Sequence, residues 1–113
     1  MAFPGTYNFS YYKGDTFQFV IRPKDSAGNA FDLTDYTAEF TIANVRGSTG
    51  TQYAATATVD ETNMLVTCTI TPVVGDTLAA TTYVYDVEVT DGTNIYTLLT
   101  GTVSVTDHIT GAV

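Results

Sequence analysis

Tryptophan is absent, histidine and cysteine occur once each, and Lys and Arg together fill four of 113 positions. Each scarcity removes a class of function. A single cysteine, Cys68, closes no intrachain disulfide, so the fold must be held by its core. With one histidine, His108, and one cysteine, no pair has the spacing of a zinc site. A general base beside a nucleophile would have to draw on His108, and that residue stands in the C-terminal stretch "TDHITGAV", where a solvated side chain is expected. The cations Lys13, Arg22, Lys24 and Arg46 all precede Gly47, and the twelve acids bring the net charge to −8. Nucleic acid and anionic membrane surfaces both need a cationic face, and none is available here. No apolar run approaches the roughly 18 residues of a membrane-spanning helix. The opening "MAFPGTYNFSYYKG" lacks the basic start and apolar run of a secretion signal, which points to synthesis in a cytoplasm.

What is present builds strands. Threonine fills 23 positions and tyrosine eight, and both favour pleated, half-buried surfaces. Period-two alternation recurs along the chain. It sets Phe17, Phe19 and Ile21 on one face, then Ala38, Phe40 and Ile42, then Ala55, Ala57 and Val59. Val66, Cys68 and Ile70 follow, then Tyr83, Tyr85, Val87 and Val89. The last run starts in one phase at Tyr96 and Leu98 and ends in the other at Leu99, Gly101, Val103 and Val105, which predicts a bulge. With "TYNFSYY" in front, about seven strands are expected. "KDSAGN", "RGSTG", "DETN" and "DGTN" read as turns, and Lys13-Gly14-Asp15 reads as the reversal between the first two strands. Thr71–Thr82 is too long for a tight hairpin and reads as a crossing between sheets, with a helical turn at Asp76–Ala80. One domain over residues 1–113 is expected: an all-β, antiparallel β-sandwich, with 1–5 as an N-terminal arm and 106–113 as a tail.

The search for chemistry yields weak candidates. Asp25, Asn29, Asp32 and Asp35 offer the oxygen ligands that calcium takes, without the ligand spacing of an EF-hand loop. The simpler reading is a hairpin loop from Asp25 to Asn29 and a turn capped by Asp32, with no metal. Cys68 alternates with threonines and reads as a small buried hydrophobe. Lys13-Gly14-Asp15 matches a receptor-read adhesion tripeptide and Asn8-Phe9-Ser10 a glycosylation sequon, but matches this short arise by accident. Tyr11, Tyr12, Tyr36, Tyr53 and Tyr96 could form a sugar-stacking platform, which makes a carbohydrate-binding module the alternative function. The N-terminal segment carries aromatics with no evident place in a core. Phe3, Pro4, Tyr7 and Tyr12 are therefore the candidate interface residues.

Two stretches suggest a family. "YYKGDTFQFVIRPKDSAGNAFDLTDYTAEFTIAN", Tyr11 to Asn44, resembles the opening of small immunoglobulin-like β-sandwich domains of tailed-bacteriophage virions. The pieces that carry it are Gly14-Asp15-Thr16, Asp25 with Gly28-Asn29, and Asp32-Leu33-Thr34. Thr81 to Val105 resembles the closing hairpin of the same domains. The chain departs where Ala80-Thr81-Thr82 replaces a glycine before the tyrosine, and where Asp35 replaces the glycine after "DLT". The resemblance implies an Ig-like fold and a non-enzymatic virion component with no cofactor. It implies many symmetric copies that dock on capsid or tail proteins and on neighbouring copies, as decoration, cement or collar. A copy with no fused fibre region suits such a repeated module.

Overall fold

The computed structural model describes residues 4–47, 50–107 and 109. Among them the chain forms β1 (Gly5–Thr6), β2 (Phe9–Tyr12), β3 (Phe17–Ile21), β4 (Thr37–Ala43), β5 (Gln52–Asp60), β6 (Leu65–Ile70), α1 (Pro72–Gly75), β7 (Thr82–Thr90) and β8 (Ile95–Thr106). The protein is all-β, and its eight strands make one curled sheet in the order β1-β8-β7-β4-β5-β6-β3, with β2 also on β8. Gly5 and Thr106, assigned above to the arm and the tail, belong to β1 and β8.

β5 makes the sheet curl. Its first half, Gln52–Ala55, pairs with β4, and its second half, Thr56–Asp60, pairs with β6. The strand order places β3 far from β7, yet the Phe19 ring lies 6.3 Å from Tyr85 on β7 and 5.5 Å from Phe40 on β4. The two ladders therefore face each other across a shared core. Each aromatic pair of this kind adds about 0.5–1.5 kcal/mol beyond the burial itself. The inward residues are those the alternation marks: Phe40, Val66, Cys68, Tyr85, Val87 and Val103 are all buried.

The bulge is present. Val87 faces Leu99 and Glu88 faces Thr97, so Leu98 is the extra residue, and it is buried too. Three expectations need correction. The sheet is mixed rather than antiparallel, because β1 and β2 run parallel to β8. The first expected strand is two short ones, which raises the count to eight. The helical turn comes earlier than Asp76–Ala80: Pro72 takes the first helical position, and the Thr71 hydroxyl accepts from Val74 N–H at 3.4 Å.

Lys13-Gly14-Asp15 does reverse the chain, with Gly14 at φ +86° and Asp15 N–H donating to Tyr12 O at 3.0 Å. The strands it joins are not paired with each other. β2 belongs to β8 and β3 to β6, so the turn crosses between layers.

Cys68 lies on β6 with its side chain fully buried, and burial pushes its thiol pKa up to about 12. Its replacement by alanine is expected to cost about 1–2 kcal/mol through a small cavity. The native thiol should resist labelling at neutral pH until the chain unfolds, as a labelling time course with and without urea would show. Rapid modification of the folded protein would contradict this placement.

Candidate functional site

The N-terminal strand is seated by a few specific contacts. Tyr7 N–H donates to Thr100 O at 3.0 Å, and the Tyr85 hydroxyl donates to Tyr7 O at 2.6 Å. Thr102 N–H donates to Asn8 Oδ1 at 2.9 Å, so a side chain replaces the backbone acceptor between β1 and β2. Gly101 makes the approach possible, because a Cβ there would stand 2.0 Å from Tyr7 O. Asn8 of the sequon thus ties the link between β1 and β2 to β8 through its side chain.

The candidate interface residues divide on this frame. Pro4 is exposed, and Tyr12 keeps 57% of its surface in solvent. Tyr7 is 42% exposed, but its ring packs 5.4 Å from Phe9 and 5.7 Å from Phe19, forming the rim of the aromatic core. Phe3, like His108, lies outside the described residues. The tyrosines do not share a face. Tyr11 is buried, Tyr53 packs on Tyr83, and Tyr36 and Tyr96 meet with ring centroids 6.3 Å apart beside Phe31. Of the five, Tyr12 alone is exposed.

The loop acids are turn builders. Asp25 Oδ1 accepts from Ala27 N–H at 2.9 Å and Asn29 N–H at 3.0 Å, closing its own loop. Asp32 Oδ1 accepts from the Thr34 hydroxyl at 2.7 Å and Thr34 N–H at 3.0 Å, and these bonds lower its pKa. Asp35 occupies the left-handed region at φ +65°. The Asp25 and Asp32 carboxylates are therefore engaged locally, and among the described residues no three His, Cys, Asp or Glu side chains converge on a cation position. Millimolar calcium is expected to leave the melting temperature unchanged, since only a ligand that prefers the native state stabilises it. A rise of several degrees would establish the ion as a ligand.

Two turns share one code. In Asp60-Glu61-Thr62-Asn63 and Asp91-Gly92-Thr93-Asn94 the aspartate Oδ1 accepts from the Thr and Asn backbone N–H groups, at 3.0 and 3.1 Å and at 2.9 and 2.7 Å. Both carboxyls are held below the usual range, Asp60 first by the Asn63 side chain and then by the backbone bonds, Asp91 first by the backbone bonds.

Glu39, Asp86 and Glu88 serve differently. They lie on the outer face of β4 and β7, with Glu39 directly opposite Glu88, and line a shallow groove of about 260 Å³ with Thr41, Arg46 and Gln52. Partial burial raises the Asp86 pKa against the pull of Arg46. Glu88 is raised by burial first, then by Asp86 and Glu39. Opposed like charges destabilise a ladder, so the Glu39–Glu88 pair costs this face some stability. The period-two alternation sets Glu39, Asp86 and Glu88 outward, and their meeting depends on the β4–β7 register.

No protein-family model matches the chain, and no curated protein matches it.

Proposed function

We propose that this chain is a non-enzymatic structural protein of a tailed-bacteriophage virion, carried in many symmetric copies. It docks on the capsid or tail surface as a decoration, cement or appendage-anchoring protein. The fold behind this reading is an immunoglobulin-like sandwich. Its support is the pairing of β3 with β6 and of β4 with β7 and β7 with β8, with the first strands parallel to the last. Immunoglobulin domains also carry a tyrosine whose hydroxyl reaches back to the chain just before it. Here Ala79 N–H donates to the Tyr83 hydroxyl at 2.8 Å. In antibody domains a disulfide packed on a tryptophan pins the two sheets. Phe19, Phe40 and Tyr85 fill that role here without sulfur.

The observation that carries the reading is the position of the virion-like motif residues. Gly14 and Gly28 hold φ near +86° and Asp35 holds +65°, while Asp25 and Asp32 bind the loop backbone. Each shapes a turn, as expected where the family likeness lies in the scaffold. Aspartate tolerates the left-handed region better than most residues with a Cβ, which accounts for Asp35 standing in place of glycine. Pro4, Tyr7 and Tyr12 form the docking edge in this reading, with the outer side of β2.

The test is incorporation. Full-length chain should co-purify with virions and label their surface in a regular array. Chain lacking Met1–Gly5 should remain folded by circular dichroism yet be lost from the particles. Recovery of the full-length chain only in the soluble fraction would end the virion reading. Undiminished incorporation of the truncation would move the docking surface away from the N-terminal strand.

A further inference from the structure

We propose that Met64 is an oxidation site, at which a peroxide converts the thioether to a sulfoxide and unlatches the connection between β3 and β4. The proposal goes beyond the virion reading and does not rest on it.

Residues 22–36 carry the chain from the ladder of β3 and β6 to that of β4 and β7. Leu33 seats this connection, because it is fully buried in the core. Its backbone is then out of reach of water, and a buried N–H needs an acceptor. The Leu33 carbonyl accepts from Tyr36 N–H at 3.0 Å, inside the connection itself. The Leu33 N–H donates to Met64 Sδ at 3.3 Å, on the distant β5–β6 hairpin. A thioether is a weak acceptor, yet here it ties two segments of different ladders. A second tie between them, from Asp35 N–H to Glu61 Oε1, is longer at 3.4 Å.

The hairpin backbone aims the sulfur. Met64 holds φ +52°, in the left-handed region that residues with a Cβ seldom adopt. The turn before it is fixed by Asp60 Oδ1, which accepts from Thr62 and Asn63 N–H at 3.0 and 3.1 Å. Glu61, Thr62 and Asn63 are exposed and Met64 is half-buried, so the thioether borders solvent. Cys68 is the other sulfur of the described residues, and it is fully buried.

The reaction is a two-electron oxygen transfer. The sulfur attacks the peroxide, an S–O bond forms, the O–O bond breaks, and the second oxygen leaves as water. Sulfur is oxidised and the peroxide reduced. If the lone pair facing Leu33 is used, the new oxygen stands inside a 3.3 Å contact and the side chain must withdraw. If the other is used, Leu33 N–H faces a sulfur of partial positive charge, which no longer accepts. Both epimers break the tie.

The full chain treated with hydrogen peroxide should gain one oxygen at Met64 by mass mapping. Its melting temperature should fall by about 4 °C or more, and amide exchange at Leu33 should quicken by about tenfold or more. Methionine sulfoxide reductase should restore both. Met64→Leu keeps the bulk without the acceptor, so it should melt lower from the start and show no further fall with peroxide. The exchange and reductase measurements use the unaltered chain and decide the matter if that variant does not fold. Three results would overturn the proposal: Met64 reduced while free methionine in the same tube is oxidised, an oxidised chain with Leu33 exchange and melting unchanged, or an equal fall in Met64→Leu. Particle incorporation is a separate readout, so the two readings fail separately.

Discussion

Gly101→Ala should destabilise the protein by about 3 kcal/mol or more and release the N-terminal strand from β8. The added Cβ would stand 2.0 Å from Tyr7 O, 2.8 Å from Tyr7 C and 3.0 Å from Asn8 Oδ1. Two of those atoms are backbone, and the Tyr85 hydroxyl fixes the carbonyl at 2.6 Å, so no side chain can rotate away to relieve the clash. The strand itself must move. Phe9 and Tyr11 would then leave a core in which they are 8% and 2% exposed. Urea unfolding should show the loss, and amide exchange over Phe9–Tyr12 should accelerate far more than over β4 or β7. Gly5→Ala is the control: its nearest neighbour is Leu99 Cδ1 at an ordinary 3.6 Å, and stability should barely change. A Gly101→Ala protein within about 1 kcal/mol of its parent would mean that the strand sits more loosely on β8 than these contacts imply.

Gly101 also illustrates what the sequence could and could not disclose. Its place in the inward phase was legible, as was the slip at Leu98, because side-chain period and core burial are local properties of each strand. The turns were legible for the same reason: Asp25, Asp32 and Gly14 act on backbone within a few residues of themselves. Strand direction was not. Alternation looks the same in a parallel and an antiparallel strand, so nothing in "TYNFSYY" could announce that it would lie parallel to the last strand of the chain. The acidic groove was half legible. Glu39, Asp86 and Glu88 fall in outward positions by pattern, but their meeting depends on a β4–β7 register set by packing elsewhere. The helical turn at Pro72 had a local signal in Thr71-Pro72, a cap followed by a residue preset for the first turn.

Tyr85 is where these layers of contact converge, and truncating it should have the largest effect of any single core change. Its ring lies 5.3 Å from Phe9, 5.5 Å from Phe40 and 6.3 Å from Phe19, and its hydroxyl holds Tyr7 O. Tyr85→Ala removes the ring that joins the two ladders and should cost about 3–5 kcal/mol. Tyr85→Phe keeps the ring and leaves one carbonyl without its donor, which should cost about 1–3 kcal/mol. The difference separates aromatic packing from the single hydrogen bond that ties the first strand to the core. The hydroxyl adds a signature in pH. Burial raises its pKa well above that of a free tyrosine, so the folded chain keeps the proton after the unfolded chain has released it. This contribution is therefore fully present below about pH 10 and is lost as pH rises beyond it, by about 1.4 kcal/mol per pH unit for this group. Tyr11 and the buried Cys68 thiol are raised in the same direction and add to the slope, the thiol from a lower pH. Urea midpoints measured from pH 9 to about pH 12 should show the decline in the parent and a shallower one in Tyr85→Phe. Parallel declines in the two proteins would place the titrating group elsewhere and remove the Tyr85 hydroxyl from the contacts that hold the N-terminal strand.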